Sequence, residues 1–127
     1  MVKATPVLGT IVLVGVVGQL VLGFEVAGGL DTLRGLHVLF GVVGLVLVFA
    51  LLVIAFRAKT STIYSKVTIA VLAIVVLIQV GLGSQLLGGP NELMLPHEVN
   101  GFLIILLALV MGGITTWTAR RRSNVAV

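Results

Sequence analysis

Four long apolar runs decide what this chain can fold into. They cover roughly residues 7–26, 36–56, 67–87 and 98–118, and a helix needs roughly 20 such residues to cross a bilayer. The sequence is 59% hydrophobic and only 9% charged, and its mean hydropathy is +1.29, far from the balance of a soluble domain. We therefore predict an all-α membrane protein whose single domain, residues 1–127, is a bundle of four transmembrane helices.

Basic residues flank these runs, whereas acidic residues gather in two of the connecting loops. The basic residues are Lys3, Arg57, Lys59, Lys66 and the cluster Arg120, Arg121 and Arg122. By the positive-inside rule, both termini and the 57–66 loop are predicted to be cytoplasmic in a cell-membrane protein. The other two loops, which hold Glu25, Asp31, Arg34, Glu92 and Glu98, then face outward. The net charge of +4 fits contact with the lipid bilayer's anionic headgroups rather than with nucleic acid.

Two further features limit the possible chemistry. The chain has no cysteine, which excludes disulfides, thiolate metal sites and iron–sulfur clusters. The first apolar run is long, and its "VAGG" end takes part in an internal repeat. We therefore expect this run to remain in the mature protein rather than to be cleaved as a signal peptide.

The repeat appears when the chain is aligned with itself at a shift of sixty residues without gaps. The shift pairs polar and glycine positions rather than only apolar ones: Gln19 with Gln79, Gly23 with Gly83, Gly28-Gly29 with Gly88-Gly89, His37 with His97, and Gly41 with Gly101. This register predicts a duplicated helical hairpin, with one copy at about 7–56 and the other at about 67–118. Because each copy contains two spans, both copies enter the membrane from the same side as a parallel repeat.

His37 and His97 are the chain's only histidines, and the repeat places both near the outer surface. A lone intramembrane histidine is explained by a hydrogen bond to a nearby carbonyl, but two equivalent ones are expected to face each other across the bundle. If Asp31 caps the second helix, His37 lies six residues into it. The fourth helix is predicted to begin nearer Pro96, which would place His97 slightly higher.

Two facing histidines fit a haem better than a bare metal ion. A bare ion wants four or more ligands, whereas a haem iron needs two axial ones. We therefore predict that His37 and His97 bind the iron of a haem, which is heme b, heme O or heme A. Gly41 and Gly101 lie one turn deeper on the same helix faces and are predicted to leave room for the flat macrocycle. Close helix packing is the other interpretation of these glycines.

Other polar residues near the histidines are less specific. Gln19 and Gln79 are mid-span and are expected to hydrogen-bond each other or another helix. Arg34 either pairs with a haem propionate or extends to a lipid phosphate. Glu25 and Glu98 are the nearby carboxylates that could accept a proton, so we treat them as candidate catalytic residues.

The glycine-rich segments before the two histidines resemble a known family. "QLVLGFEVAGG" before His37 and "QVGLGSQLLGG" before His97 are similar to segments of the heme A synthase family, and the resemblance covers nearly the whole chain. It implies an oxidoreductase that converts a methyl group of heme O to the formyl group of heme A, with both histidines as haem ligands. Family members commonly have eight spans in two similar halves, and this chain resembles one half. We therefore expect a homo-oligomer that works with an electron donor or acceptor protein.

The chain also departs from the family's pattern. The family often has a glutamate three residues before the first histidine and an arginine just after it, where this chain has Arg34 and Val38. The cysteine pair and the second half are absent. Two other functional classes therefore stay open: a b-type cytochrome that passes electrons between a quinone and a redox protein, and a membrane subunit without a cofactor.

Overall fold

A computed structural model describes residues 4–59, 61–88 and 91–125. Within these ranges the chain is all-α, as predicted, and contains no strand. The four long helices are α1 (Ala4–Ala27), α2 (Arg34–Arg57), α3 (Ile63–Leu86) and α4 (Met94–Val125).

All four helices are long and apolar enough to cross a membrane. α1, α2 and α3 each contain 24 residues, which corresponds to a length of about 36 Å. Large apolar side chains also cover their outer faces, among them Val14, Val46, Ile74 and Leu106. Apolar side chains on these faces can contact lipid tails. Each helix also satisfies its own backbone hydrogen bonds, as a segment exposed to lipid must. The architecture is that of a multi-pass membrane protein.

The helices form a square bundle. α1 packs against α2 and α4, and α3 packs against the same two helices, so that α2 and α4 lie diagonally opposite each other. We call the end where α2 and α4 begin the histidine end. The other end, which holds the start of α1 and the α2–α3 connection, is the opposite end.

Tight packing is confined to the half of the bundle away from the histidine end. The most buried large side chains are Val48, Leu51, Ile69 and Leu72. The core cluster extends from this half to the middle of the bundle: Val12, Val48, Leu51, Ala55, Ile69, Leu72, Ala73, Val75, Val76, Ile104 and Met111. At the histidine end, none of the described residues in the ranges 17–45, 77–88 and 92–103 is buried. The repeated polar and glycine positions therefore occupy the loosely packed half.

The two histidine-bearing helices begin in the same way. A short 3-10 helix precedes each of them, at Asp31–Leu33 and Asn91–Leu93, and the second is displaced from the first by the sixty residues of the repeat. Gly29 lies in the turn that follows α1, and its φ is +101°. Glycine adopts this left-handed backbone conformation without strain.

Two predictions about these helix starts are wrong. Asp31 does not cap α2, since the N-cap residue is Leu33 and no side chain caps the helix; the Asp31 carboxylate accepts a hydrogen bond from Arg34 instead. α4 begins at Met94, not nearer Pro96, which fits within the first turn because its missing N–H has no partner there. His37 and His97 therefore lie equally far into their helices.

Candidate functional site

The imidazole rings of His37 and His97 lie next to each other at the histidine end. Their centroids are 6.1 Å apart, and the ring planes make an angle of 74°. Since the rings come from diagonally opposite helices, the pair spans the bundle between α2 and α4. Both residues are partly buried. The structure thus brings together the two residues that the repeat singled out.

Two glycines of the repeat lie against these rings. A Cβ atom at Gly83 would come within 3.0 Å of His97 Cε1, and one at Gly23 would come within 3.2 Å of His37 Cε1. Contacts this short are rare for a real Cβ atom, so any larger residue would displace the ring. The repeat paired Gly23 with Gly83, but it did not show that each glycine contacts a histidine. A helix end and a loop separate each glycine from its histidine in the sequence.

Gly41 and Gly101 have a different neighbour from the one predicted. A Cβ atom at Gly41 would lie 2.9 Å from Gln19 Nε2, and one at Gly101 would lie 3.4 Å from Gln79 Nε2. In the structure these glycines therefore admit the glutamine amides of the neighbouring helix. Their predicted contact with a macrocycle stays a prediction.

The two glutamines each bond to the next helix of their own hairpin, which is one of the two expectations from the sequence. Gln19 Nε2 donates to the backbone carbonyl of His37 at 2.6 Å. Gln79 Nε2 lies 3.2 Å from the ring nitrogen Nε2 of His97. The equivalent amides thus bind different parts of the equivalent histidines.

Asn100 is a part of this site that the sequence analysis missed. Its Nδ2 donates to the carbonyl oxygen of Val75 at 3.0 Å and to Gln79 Oε1 at 2.8 Å. At the equivalent position of the first repeat the chain has Phe40, so repeat comparison did not reveal it. An amide three residues after a histidine inside an apolar span was the available clue.

Three buried polar atoms at this end have no hydrogen-bond partner among the described residues. They are Nδ1 of His37, Nδ1 of His97 and Oε1 of Gln19. Buried polar groups in folded proteins are nearly always paired, because leaving one unpaired costs the desolvation of that group. Two of the three atoms belong to the histidine rings, and the third belongs to the glutamine that bonds to the His37 backbone.

The charged candidates lie at the periphery. Arg34 forms an ion pair with Asp31, and both side chains are at least half exposed. Glu25 and Glu98 are exposed, and within the described chain neither makes a hydrogen bond or an ion pair with a histidine ring. The structure therefore leaves the predicted roles of Arg34, Glu25 and Glu98 as predictions.

The seams of the bundle beside the site differ from each other. Phe24 of α1 and Phe102 of α4 pack with ring centroids 6.1 Å apart. Their repeat equivalents, on α3 and α2, are Ser84 and Val42. The α1–α4 seam is therefore closed by two aromatic rings, whereas the α2–α3 seam has only smaller side chains at the equivalent positions.

A comparison with known proteins adds nothing to this geometry: no family model, curated protein or solved structure matches the chain. Within the described ranges there is also no group of three histidine, cysteine, aspartate or glutamate residues. The donor set that the site offers to a metal is thus a pair of imidazoles.

The spacing of that pair can be tested against a haem iron. Bonds from a metal to imidazole nitrogen are roughly 2 Å long, so an iron held between two imidazoles requires ring centroids about 6 Å apart. The observed separation of 6.1 Å agrees. That separation would suit an iron bound by both imidazoles, with its remaining positions filled by a porphyrin. The Nδ1 edge of each ring lies against a glycine of the neighbouring helix, Gly23 for His37 and Gly83 for His97, so the rings would have to turn for Nδ1 to bind the iron.

Proposed function

We propose that this protein is a haem-binding membrane oxidoreductase in which His37 and His97 bind one haem iron. The observation that carries the proposal is the separation of 6.1 Å between two imidazoles on diagonally opposite helices. The loose packing of the histidine end supports it, because a bundle whose other half is well packed gains contact area when a flat group fills that end.

The chain's own residues would hold and orient the group. Gly23 and Gly83 let the helices approach the rings, and the surrounding spans are apolar. When bound, haem supplies a redox-active iron and, as heme O, the methyl group to be oxidised.

We further propose that the reaction is that of heme A synthase, the oxidation of the heme O methyl group to the formyl group of heme A. The support is the resemblance of "QLVLGFEVAGG" and "QVGLGSQLLGG" to that family. Conversion of the methyl group to a formyl group adds one oxygen atom and removes electrons and protons. The reaction would therefore need water to supply the oxygen atom, an external electron acceptor such as dioxygen, and a proton acceptor. Glu98, next to His97, is the first candidate for the proton, and Glu25 is the second.

The reaction is tested by supplying heme O to the protein in lipid vesicles with dioxygen as the electron acceptor, and analysing the extracted haem by chromatography and mass spectrometry. We expect heme A to form. In Glu98→Gln we expect conversion to fall at least tenfold, within the range for loss of a general base, while haem stays bound. Glu92→Gln, which changes another exposed carboxylate at the same end, is the matched control. Equal conversion in both variants removes Glu98 from the mechanism.

A b-type cytochrome is the second candidate function. It is favoured by the two imidazoles, which would both be used as iron ligands, and by the described Glu25 and Glu98, which make no bond to either ring. Such a protein would carry an unmodified haem that cycles between oxidation states. Recovery of only unchanged haem from the vesicle experiment, with reversible reduction, would replace the synthase proposal with this one.

We propose that the histidine end faces outward and that both termini are cytoplasmic in the cell membrane. The support is the basic residues Arg57, Lys59 and Lys66 at the opposite end, where the Lys66 ammonium also lies 5.7 Å from the centre of the Phe56 ring. A reporter enzyme that works only in the cytoplasm should be active when fused after Val127. Activity restricted to a reporter that works only outside would reverse the orientation.

We also propose that the chain forms a homo-oligomer. Its support is the likeness to one half of an eight-span family and the glycine-rich, apolar outer faces that suit close helix contact. Native mass spectrometry in mild detergent should show a closed oligomer, and a fully active monomer would contradict the proposal.

A further inference from the structure

The side-chain amides of Asn100 and Gln79 link the Val75 carbonyl to the His97 ring through successive hydrogen bonds. The Val75 carbonyl determines how each amide is oriented. An amide can be turned over without changing its shape, so its orientation must be inferred from its partners. The carbonyl oxygen of Val75 can only accept, and therefore the Asn100 atom 3.0 Å from it is the nitrogen. The same nitrogen lies 2.8 Å from Gln79, whose facing atom must be the oxygen.

This orientation determines the tautomer of His97. Since Gln79 gives its oxygen to Asn100, it turns its Nε2 toward His97 Nε2, 3.2 Å away. An amide nitrogen only donates, so His97 Nε2 must accept, and in the neutral ring the proton must be on Nδ1. That Nδ1 is buried and has no partner among the described residues.

The first repeat lacks this control. Phe40 replaces Asn100 at the equivalent position, and Gln19 donates to the backbone of His37 instead of to its ring. Gln19 Oε1 is left without a partner in the described part of the chain. Among the described side chains, none hydrogen-bonds to the His37 ring, so only the backbone of Gln19 acts on it.

We propose that Asn100 is a positioning residue that acts through Gln79 to fix His97 as the Nδ1–H tautomer and to cover its Nε2 lone pair, which makes the two histidines unequal iron ligands. The tautomer statement requires no haem, whereas the ligand statement rests on the proposed function.

The hydrogen bond from Gln79 is expected to lower the affinity of His97 for the iron. If Nε2 binds the iron, the Gln79 N–H loses its acceptor. If Nδ1 binds it, the ring proton moves to Nε2 and faces the same N–H, so the hydrogen bond is lost again. Gln79 therefore competes with the iron at His97, whereas no described side chain hydrogen-bonds to the His37 ring. His37 is the freer ligand.

The test combines nuclear magnetic resonance of ¹⁵N-histidine in the haem-free protein with haem titration. The wild-type spectrum should show mainly Nδ1–H for His97. In Gln79→Met and in Asn100→Leu, the His97 signal should become a mixture. Haem affinity should rise roughly fivefold, the effect of removing one competing hydrogen bond. Gln19→Met is the matched control and should leave the His97 tautomer unchanged.

A His97 signal that is the same in the wild type and in both variants would overturn the inference, as would weaker haem binding by both variants. Two variants at different sites protect against misfolding of one. If the wild type binds no haem, the proposed function fails, yet the tautomer measurement still decides the role of Asn100.

Discussion

Replacing either His37 or His97 with alanine is expected to remove most of the Soret absorbance of the purified protein. Each ring would bind the iron, and the two ring centroids lie 6.1 Å apart. Losing a ligand should weaken haem binding at least as much as altering a residue that only orients a ligand, which typically costs roughly 10–100-fold.

The matched control for these variants is Gln19→Met. Gln19 lies in the same region but bonds only to the backbone of His37, so its loss should reduce haem content far less. Haem content is measured per chain from the absorbance of the extracted cofactor. Full retention of haem in both histidine variants would show that the rings are not its ligands.

Replacing Gly83 with alanine is expected to weaken haem binding about tenfold. The added Cβ atom would lie 3.0 Å from His97 Cε1, so the ring must move, and forcing an extra methyl group into such a contact typically costs 1–3 kcal/mol, of which about 1.4 kcal/mol is a tenfold change. Gly83→Val should have a larger effect.

Gly81 provides a close control for this prediction. It lies on the same helix two residues away, and a Cβ atom there would meet nothing within 4 Å. Gly81→Ala should therefore bind haem like the wild type, since alanine also favours the helix. Haem titration of both variants decides between the two outcomes. Equal affinities would mean that the contact between Gly83 and His97 is not important for the site.

The sequence was sufficient to predict the helices and the histidine pair, for physical reasons. Apolar runs of the length of a membrane span have few other stable structures. The sixty-residue register carried His37 and His97 to equivalent positions, and two equivalent helices of a square bundle lie diagonally opposite each other.

Details that depend on local geometry could not be predicted in this way. The start of α4 at Met94 depends on a 3-10 turn that apolar patterning does not reveal. The spacing of Gly41 from His37 was compatible with either a macrocycle or a side chain as its neighbour, and only three-dimensional packing showed the Gln19 amide there.

Asn100 was missed for a different reason. Comparison of the two repeats detects what they share, whereas Asn100 is where they differ. Its partners, Val75 and Gln79, are on another helix, and no spacing rule connects them. The features that make the two halves of the site unequal therefore had to come from the structure.

The central claim is that one haem iron is bound between His37 and His97. Its most direct test is the absorbance and electron paramagnetic resonance of the protein purified in mild detergent and titrated with haem. We predict one haem per chain and a low-spin iron with two imidazole ligands. A wild-type protein that takes up no haem, or that holds it as a high-spin iron with one ligand, would contradict the account.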